Sequence, residues 1–248
     1  MTLGSPVWGA AVKTAGSGTA NVPYPATVNA GDLLLMFATI SVGTINYPTT
    51  PTDWNLIDFI RANTSSPTIR AFWTIADGTE SGSLPVTMYS ATPNSTAIMV
   101  AIPGADPDAP IEDYGVFGTS STTTGDKAVP ALDTAVDDCQ VFGFASVNRS
   151  TATWVGPTGW DEVLDDQTFN PSTYAGWDQL GAAGSTGALV FDHTGTPRGC
   201  AFAVAVRPAP DPPPGPVATL WDGSSEQAVT LTVWDGSSEQ AVTIELAP

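Results

Sequence analysis

Side chains able to do chemistry are few in this chain: one histidine, His193, two cysteines, Cys139 and Cys200, and eight tryptophans among 248 residues. His193 follows Asp192 in Phe191-Asp192-His193-Thr194-Gly195, which invites an acid–base reading. The segment reads as a strand, however, and adjacent strand residues point to opposite faces, so the two cannot readily pair. One histidine and two distant cysteines make no zinc set, and there is no Asp-x-Asp-x-Asp-Gly calcium loop. Acids bunch at Asp106/Asp108, Asp137/Asp138 and Asp165/Asp166, where they read as solvated turn carboxylates. A glycosidase needs two carboxylates across a cleft. Asp161 and Asp165 could be nominated, but nothing singles them out. No Gly-x-Ser-x-Gly elbow, phosphate loop or dinucleotide fingerprint occurs. The expectation is a non-enzymatic protein with no catalytic residue, metal or cofactor.

Tryptophans could instead stack sugar rings. Trp54 and Trp160 recur at one spacing and Trp73 and Trp177 nearly so, which marks all four as core anchors. Trp154, in Ser150-Thr151-Ala152-Thr153-Trp154-Val155-Gly156-Pro157, reads as a loop residue and has no aromatic counterpart. It is the expected ligand-contacting tryptophan.

Positioning these residues is a duplicated framework. Shifted by 106 residues, Gly31-Asp32-Leu33-Leu34-Leu35-Met36-Phe37-Ala38 falls on Asp137-Asp138-Cys139-Gln140-Val141-Phe142-Gly143-Phe144, and Pro51-Thr52-Asp53-Trp54 on Pro157-Thr158-Gly159-Trp160. The closing strands, Ala97–Ile102 and Ala201–Val206, align at 104, and an indel near residues 186–200 is expected to absorb the difference. One unit built twice makes recurring residues scaffold rather than chemistry. Runs of β-branched and aromatic residues separated by Gly, Pro, Asn and Ser recur through both halves, and no stretch keeps a helical period over three turns. The expected fold is all-β: an antiparallel, jelly-roll-like sandwich over residues 1–207, with pseudo-two-fold halves of about 1–105 and 106–207. One sandwich and two tandem ones both fit this pattern. Cys139 and Cys200 read as buried thiols, a single bridge being the alternative.

Residues 208–216, Pro-Ala-Pro-Asp-Pro-Pro-Pro-Gly-Pro, form an extended spacer. Beyond it Trp221-Asp-Gly-Ser-Ser-Glu-Gln-Ala-Val-Thr230 returns as Trp234 to Thr243. Asp-Gly-Ser-Ser is hairpin-loop chemistry, so residues 217–248 are expected to form a three-strand meander. Val229, Leu231 and Val233, then Val242, Ile244 and Leu246, alternate along its strands. So short a segment buries too little to stand alone. These six residues with Trp221 and Trp234 are therefore expected to form an assembly interface.

Composition narrows the partners. Twenty-five acids against seven bases give a formal net charge of −18, which repels phosphate backbones and anionic membranes. Neither nucleic-acid binding nor membrane insertion is expected; the longest apolar run, Leu33 to Ala38, is too short to span a bilayer. Met1-Thr2-Leu3-Gly4-Ser5-Pro6 shows no secretory signal.

Gly31-Asp32-Leu33-Leu34-Leu35, Pro51-x-x-Trp54, Phe72-Trp73-Thr74-Ile75-Ala76-Asp77-Gly78-Thr79-Glu80 and Gly104-Ala105-Asp106-Pro107-x-x-Pro110-Ile111 resemble a β-sandwich family of tailed phages and prophages of high-GC actinobacteria, the minor tail or virion proteins. The resemblance covers residues 1–207. The Trp-Asp-Gly-Ser-Ser-Glu repeat is similar to C-terminal modules of actinobacteriophage tail proteins. It implies a virion component, made in the bacterial cytoplasm, whose partners are other virion proteins and copies of itself. A host-surface adhesin that binds envelope glycan near Trp154 is the alternative.

Overall fold

The computed structural model describes residues 2–15, 18–41, 47–88, 94–119, 126–195, 197–211, 217–221 and 226–230, the last two stretches by their backbone. Every described regular element is a strand. The first half contains β1 (Val7–Trp8), β2 (Val12–Thr14), β3 (Gly18–Pro23), β4 (Leu33–Ile40), β5 (Asn55–Arg61), β6 (Thr68–Ile75), β7 (Ser83–Met88) and β8 (Ser95–Ile102). The second contains β9 (Ile111–Thr119), β10 (Lys127–Val129), β11 (Asp133–Thr134), β12 (Gln140–Val147), β13 (Trp154–Val155), β14 (Asp161–Asp166), β15 (Ser172–Gln179), β16 (Gly184–Ser185), β17 (Leu189–His193) and β18 (Gly199–Val206).

The two halves share one topology. The main sheet of the first runs β1-β8-β4-β6-β5, with β2 also on β8, while the main sheet of the second runs β9-β18-β12-β15-β14. A small sheet lies over each, β3-β7 in the first half and β10-β17-β13 in the second. All named pairings are antiparallel. Even the irregularities recur: β5 slips register between Leu56 and Asp58, and β14 between Glu162 and Leu164.

Strands β4, β8, β12 and β18 are buried at all eight positions, where a one-faced sheet would alternate. The cause is a four-layer arrangement. One apolar cluster joins Leu35, Phe37 and Val100 of the first main sheet to Phe142, Phe144 and Phe202 of the second. A second cluster fills the outer face of the first main sheet, where Leu34, Met36 and Phe72 meet Val22 and Val86 of its small sheet. A third does the same in the other half, with Val141, Tyr174 and Ala203 against Val129 and Phe191. Each half is thus its own two-layer sandwich, and the pair stack through their main sheets. At the junction equivalent residues meet each other. Phe37 stacks on Phe144 with ring centroids 5.5 Å apart and planes 3° from parallel, and Thr39 Oγ1 donates to Ser146 Oγ at 3.0 Å. A pseudo-dyad runs between β4 and β12.

The ladders correct the expected alignment. Leu33 lies opposite Ile75 and Ile102, while Gln140 lies opposite Gln179 and Val206, so Leu33 corresponds to Gln140 and not to Cys139. A strand apolar on both faces carries no alternation to betray a slip of one residue. Trp73 and Trp177 occupy matching places already at an offset of 104, opposite Asn55 and Asp161. The lost residues therefore fall in the turn between β5 and β6 and its counterpart, upstream of 186–200. The β3, β10, β11, β13 and β16 strands have no apolar run to announce them; they are short lids that gain order from the sheets beneath.

Residues 1–209 form one compact unit and 210–248 another. In the latter, β19 (Val217–Trp221) and β20 (Glu226–Thr230) pair as an antiparallel hairpin, with Trp221 opposite Glu226 and Ala218 opposite Val229. Leu231, Val233, Trp234, Val242, Ile244 and Leu246 lie outside the described residues.

Candidate functional site

Trp154 is a core residue and not a loop ligand. It opens β13 opposite His193, is 3% exposed, and packs at 5.1 Å from the His193 ring and 6.3 Å from that of Tyr174. Its Nε1 donates to Ser172 Oγ at 3.0 Å, and the single Ser172 hydroxyl proton is directed at the Asp166 carbonyl at 2.7 Å, with that of Ala152 at 3.1 Å as the alternative acceptor. No ring face is left for a sugar. The glycan site expected at this residue is withdrawn.

The remaining candidates divide cleanly. Cys139 and Cys200 are both free and buried. They stand at opposite ends of the β12–β18 pair, since Gln140 faces Val206 while Ser146 faces Cys200, and no bridge can span that distance. Burial holds both thiols protonated, pushing Cys139 up to about 11 and Cys200 higher still. The bunched acids serve turns: Asp106 Oδ1 accepts the amides of Asp108 and Ala109, and Asp137 Oδ1 that of Ala183. Asp166 Oδ1 accepts from Thr168 and pairs with Lys13 Nζ at 2.8 Å. Among the described residues no group of three or more His, Cys, Asp or Glu could hold a metal ion.

A buried basic pair in the second half carried no obvious motif. Lys127 is fully buried and His193 nearly so. The small-sheet ladders place Lys127 where the first half has Ala20, because each lies two residues before the valine (Val129, Val22) that faces Leu189 or Leu84. Gly199 makes room: a Cβ there would lie 2.7 Å from Lys127 Cε. Burial lowers the ammonium to about 8 against the pull of Cys200, Asp126 and Asp192. Burial, then Lys127 itself, keeps His193 below its ordinary value. The contact of His193 Nδ1 with the Thr194 carbonyl at 3.3 Å assigns the proton to Nδ1, and Nε2 is buried without a hydrogen-bond partner. The sequence signal was the period-two spacing of Lys127 and Val129, which sends a scarce lysine to the apolar face.

Among the described residues two grooves sit at the same place in each half. A groove of about 450 Å³ opens beside Trp160, and one of about 410 Å³ beside Trp54. Equivalent residues line both. Val141 matches Leu34, Thr158 matches Thr52, and Asp178 matches Thr74, while the 188–190 segment matches 83–85. A shared turn sets each tryptophan: Trp54 N donates to Pro51 O, and Trp160 N to Pro157 O. The intervening residue is left-handed in both, Asp53 at φ 64° and Gly159 at φ 90°. The first mouth is occupied by its own chemistry. Trp54 is only 9% exposed, and Glu80 turns both carboxylate oxygens onto the amides of Asp77 and Gly78. In the second the indole is less covered. Trp160 is half-buried, edge-on to Phe191 at 5.8 Å, and Val155 on the rim is 63% exposed. Asp178 and Asp192 line the same groove. Asp192 also hydrogen-bonds Asp126, whose carboxyl is raised by that bond and by the neighbouring charge.

These features define a duplicated, four-layer all-β sandwich protein with an equivalent groove in each half. Comparison with family models, with curated proteins and with solved structures finds no match to the chain.

Proposed function

We propose that the chain is a non-enzymatic structural protein of a bacteriophage particle, a minor tail or particle-surface component that joins other virion proteins or copies of itself. The observation that supports this reading most is where the duplication was conserved between halves. The matched residues are framework: Phe37 and Phe144 at the dyad, Trp54 and Trp160 in their turns, Trp73 and Trp177 on the main sheets. The phage-like motifs of residues 1–207 and the tandem Trp-Asp-Gly-Ser-Ser-Glu repeat supply the particle context. The repeat contributes the assembly contact, through Trp221, Val229 and the alternating apolar residues that follow.

Cryo-electron microscopy of purified particles tests the reading directly, with density for the four-layer unit expected at the tail or capsid surface. Absence of the chain from purified particles overturns it. Deleting residues 217–248 is expected to abolish incorporation while leaving the 1–209 unit folded; full incorporation of the truncated chain removes the assembly role.

A further inference from the structure

We propose that the groove beside Trp160 binds a neutral sugar ring of a glycan, with the Trp160 indole as the stacking wall and Asp178 and Asp192 as acceptors for sugar hydroxyls. This goes beyond the particle role and stands or falls separately from it. Three observations carry it. The groove is a built feature, formed twice by the same turn and the same strands, and its 450 Å³ is in the range of small-ligand sites. Its two kinds of surface face the same space. The half-buried indole and the exposed Val155 and Val190 offer apolar area for the C–H face of a pyranose, and the two carboxylates, each with Oδ1 already accepting the amide of the next residue, Gln179 or His193, offer their remaining oxygen to its hydroxyl edge. Finally, charge selects the class. A chain of net −18 with two acids at the rim repels phosphates and uronic acids, and the apolar wall, which an ammonium does not use, favours a neutral ring over a cation.

The first-half groove is an internal control. Its indole is almost covered, Glu80 spends both oxygens on the amides of Asp77 and Gly78, and Asp77 commits Oδ1 to the amide and hydroxyl of Thr79. In the second half the corresponding turn, Gly181-Ala182-Ala183-Gly184, carries no acid, and the strand position of Thr74 has become Asp178. The divergence between copies thus covered one indole and left the other at a rim.

Ligand-observed NMR and tryptophan fluorescence on the full chain test this with the methyl glycosides of glucose, galactose and mannose, and with glucosamine and glucuronate as charged probes. Binding of at least one neutral glycoside at about 10 mM is expected, a concentration that detects millimolar dissociation constants. Ala188→Trp fills the groove from an exposed rim position, and Ser83→Trp does the same to the first-half copy. The former is expected to weaken binding by about tenfold or more and the latter to leave it within about twofold. Thermal melts of both variants check that the fold is intact. Failure of all three neutral glycosides to bind overturns the proposal. So does binding of glucosamine or glucuronate alone, or neutral-sugar binding that Ala188→Trp leaves unchanged in a folded protein.

Discussion

At Lys127 a charge has been placed where the sister half keeps a methyl group, and the consequence is a pH dependence of known sign. Facing it are Asp126, Asp192, His193 and Cys200, with Arg149 near the histidine. Its pKa falls from 10.5 in the ordinary lysine to about 8 in the folded chain. Between those values the unfolded chain holds the proton and the folded chain does not, so the lysine makes stability rise as pH climbs from about 8 to 10.5. Groups raised by burial act in the opposite sense. Cys139, pushed from 9.0 to about 11, Tyr174, pushed from 10.0 to about 12, and with them Cys200 and Tyr24, stay protonated in the folded chain where the unfolded chain ionises, and they lower stability as pH rises above about 9. A difference measurement separates them. Lys127→Met should gain on the order of 1–3 kcal/mol in urea unfolding at pH 7, since each pKa unit is worth about 1.4 kcal/mol. That advantage over the parent should shrink steadily between pH 8 and 10.5. A variant less stable than the parent at pH 7 would show that partners of the ammonium outweigh its desolvation.

Among elements, the two outer cores show how much of this molecule could be read before folding and how much could not. Strand content was legible wherever β-branched and aromatic runs met Gly or Pro, and the recurring Pro-x-x-Trp turns located both grooves' tryptophans. Register inside β4 and β12 was not, because both of their faces are covered. Nor was the exposure of Trp154 and Trp160, which depends on the lids: β13 buries the former against Tyr174 and leaves the latter at a rim. Packing also reveals a reciprocal exchange of volume. Corrected for register, Met36 and Val86 of the first half correspond to Gly143 and Phe191 of the second. A Cβ on Gly143 would sit 2.5 Å from Phe191 Cζ and 2.6 Å from Trp160 Cζ3, so the missing side chain is what admits the larger ring. Gly143→Met alone should overpack the third cluster and cost about 3 kcal/mol or more. Phe191→Val alone should leave a cavity costing about 2–4 kcal/mol. Together they transplant the first-half solution, and the double variant should lose at least about 2 kcal/mol less than the sum. Additive losses in denaturant unfolding would mean that the two positions are packed independently.

For the molecule as a whole, the face-to-face stacking of the main sheets is the interaction on which either half depends. A first half alone, residues 1–106, would expose Leu33, Leu35, Phe37, Ile69, Val100 and Ile102, all fully buried in the intact unit. At about 1.5–3 kcal/mol for each such side chain, the loss is comparable to the entire 5–15 kcal/mol stability of an ordinary domain. A folded monomeric half is therefore not expected. The pseudo-dyad offers it another partner, since a second copy can sit where residues 107–209 normally do. Phe37 would then stack on Phe37 of the other copy, and Thr39 would meet Thr39, repeating contacts that already exist between equivalents. The imitation is imperfect. Leu35 would replace Phe142, which the native unit packs against Trp8 at 5.9 Å and Trp177 at 6.2 Å, leaving a gap at the centre of the shared core. The 1–106 fragment should consequently elute as a homodimer at micromolar concentration in light-scattering chromatography. Addition of the 107–209 fragment should exchange it into a one-to-one heterodimer with a higher melting temperature. A stable, folded monomer of 1–106 would show instead that each two-layer sandwich carries its own stability and that the duplication joined two finished domains.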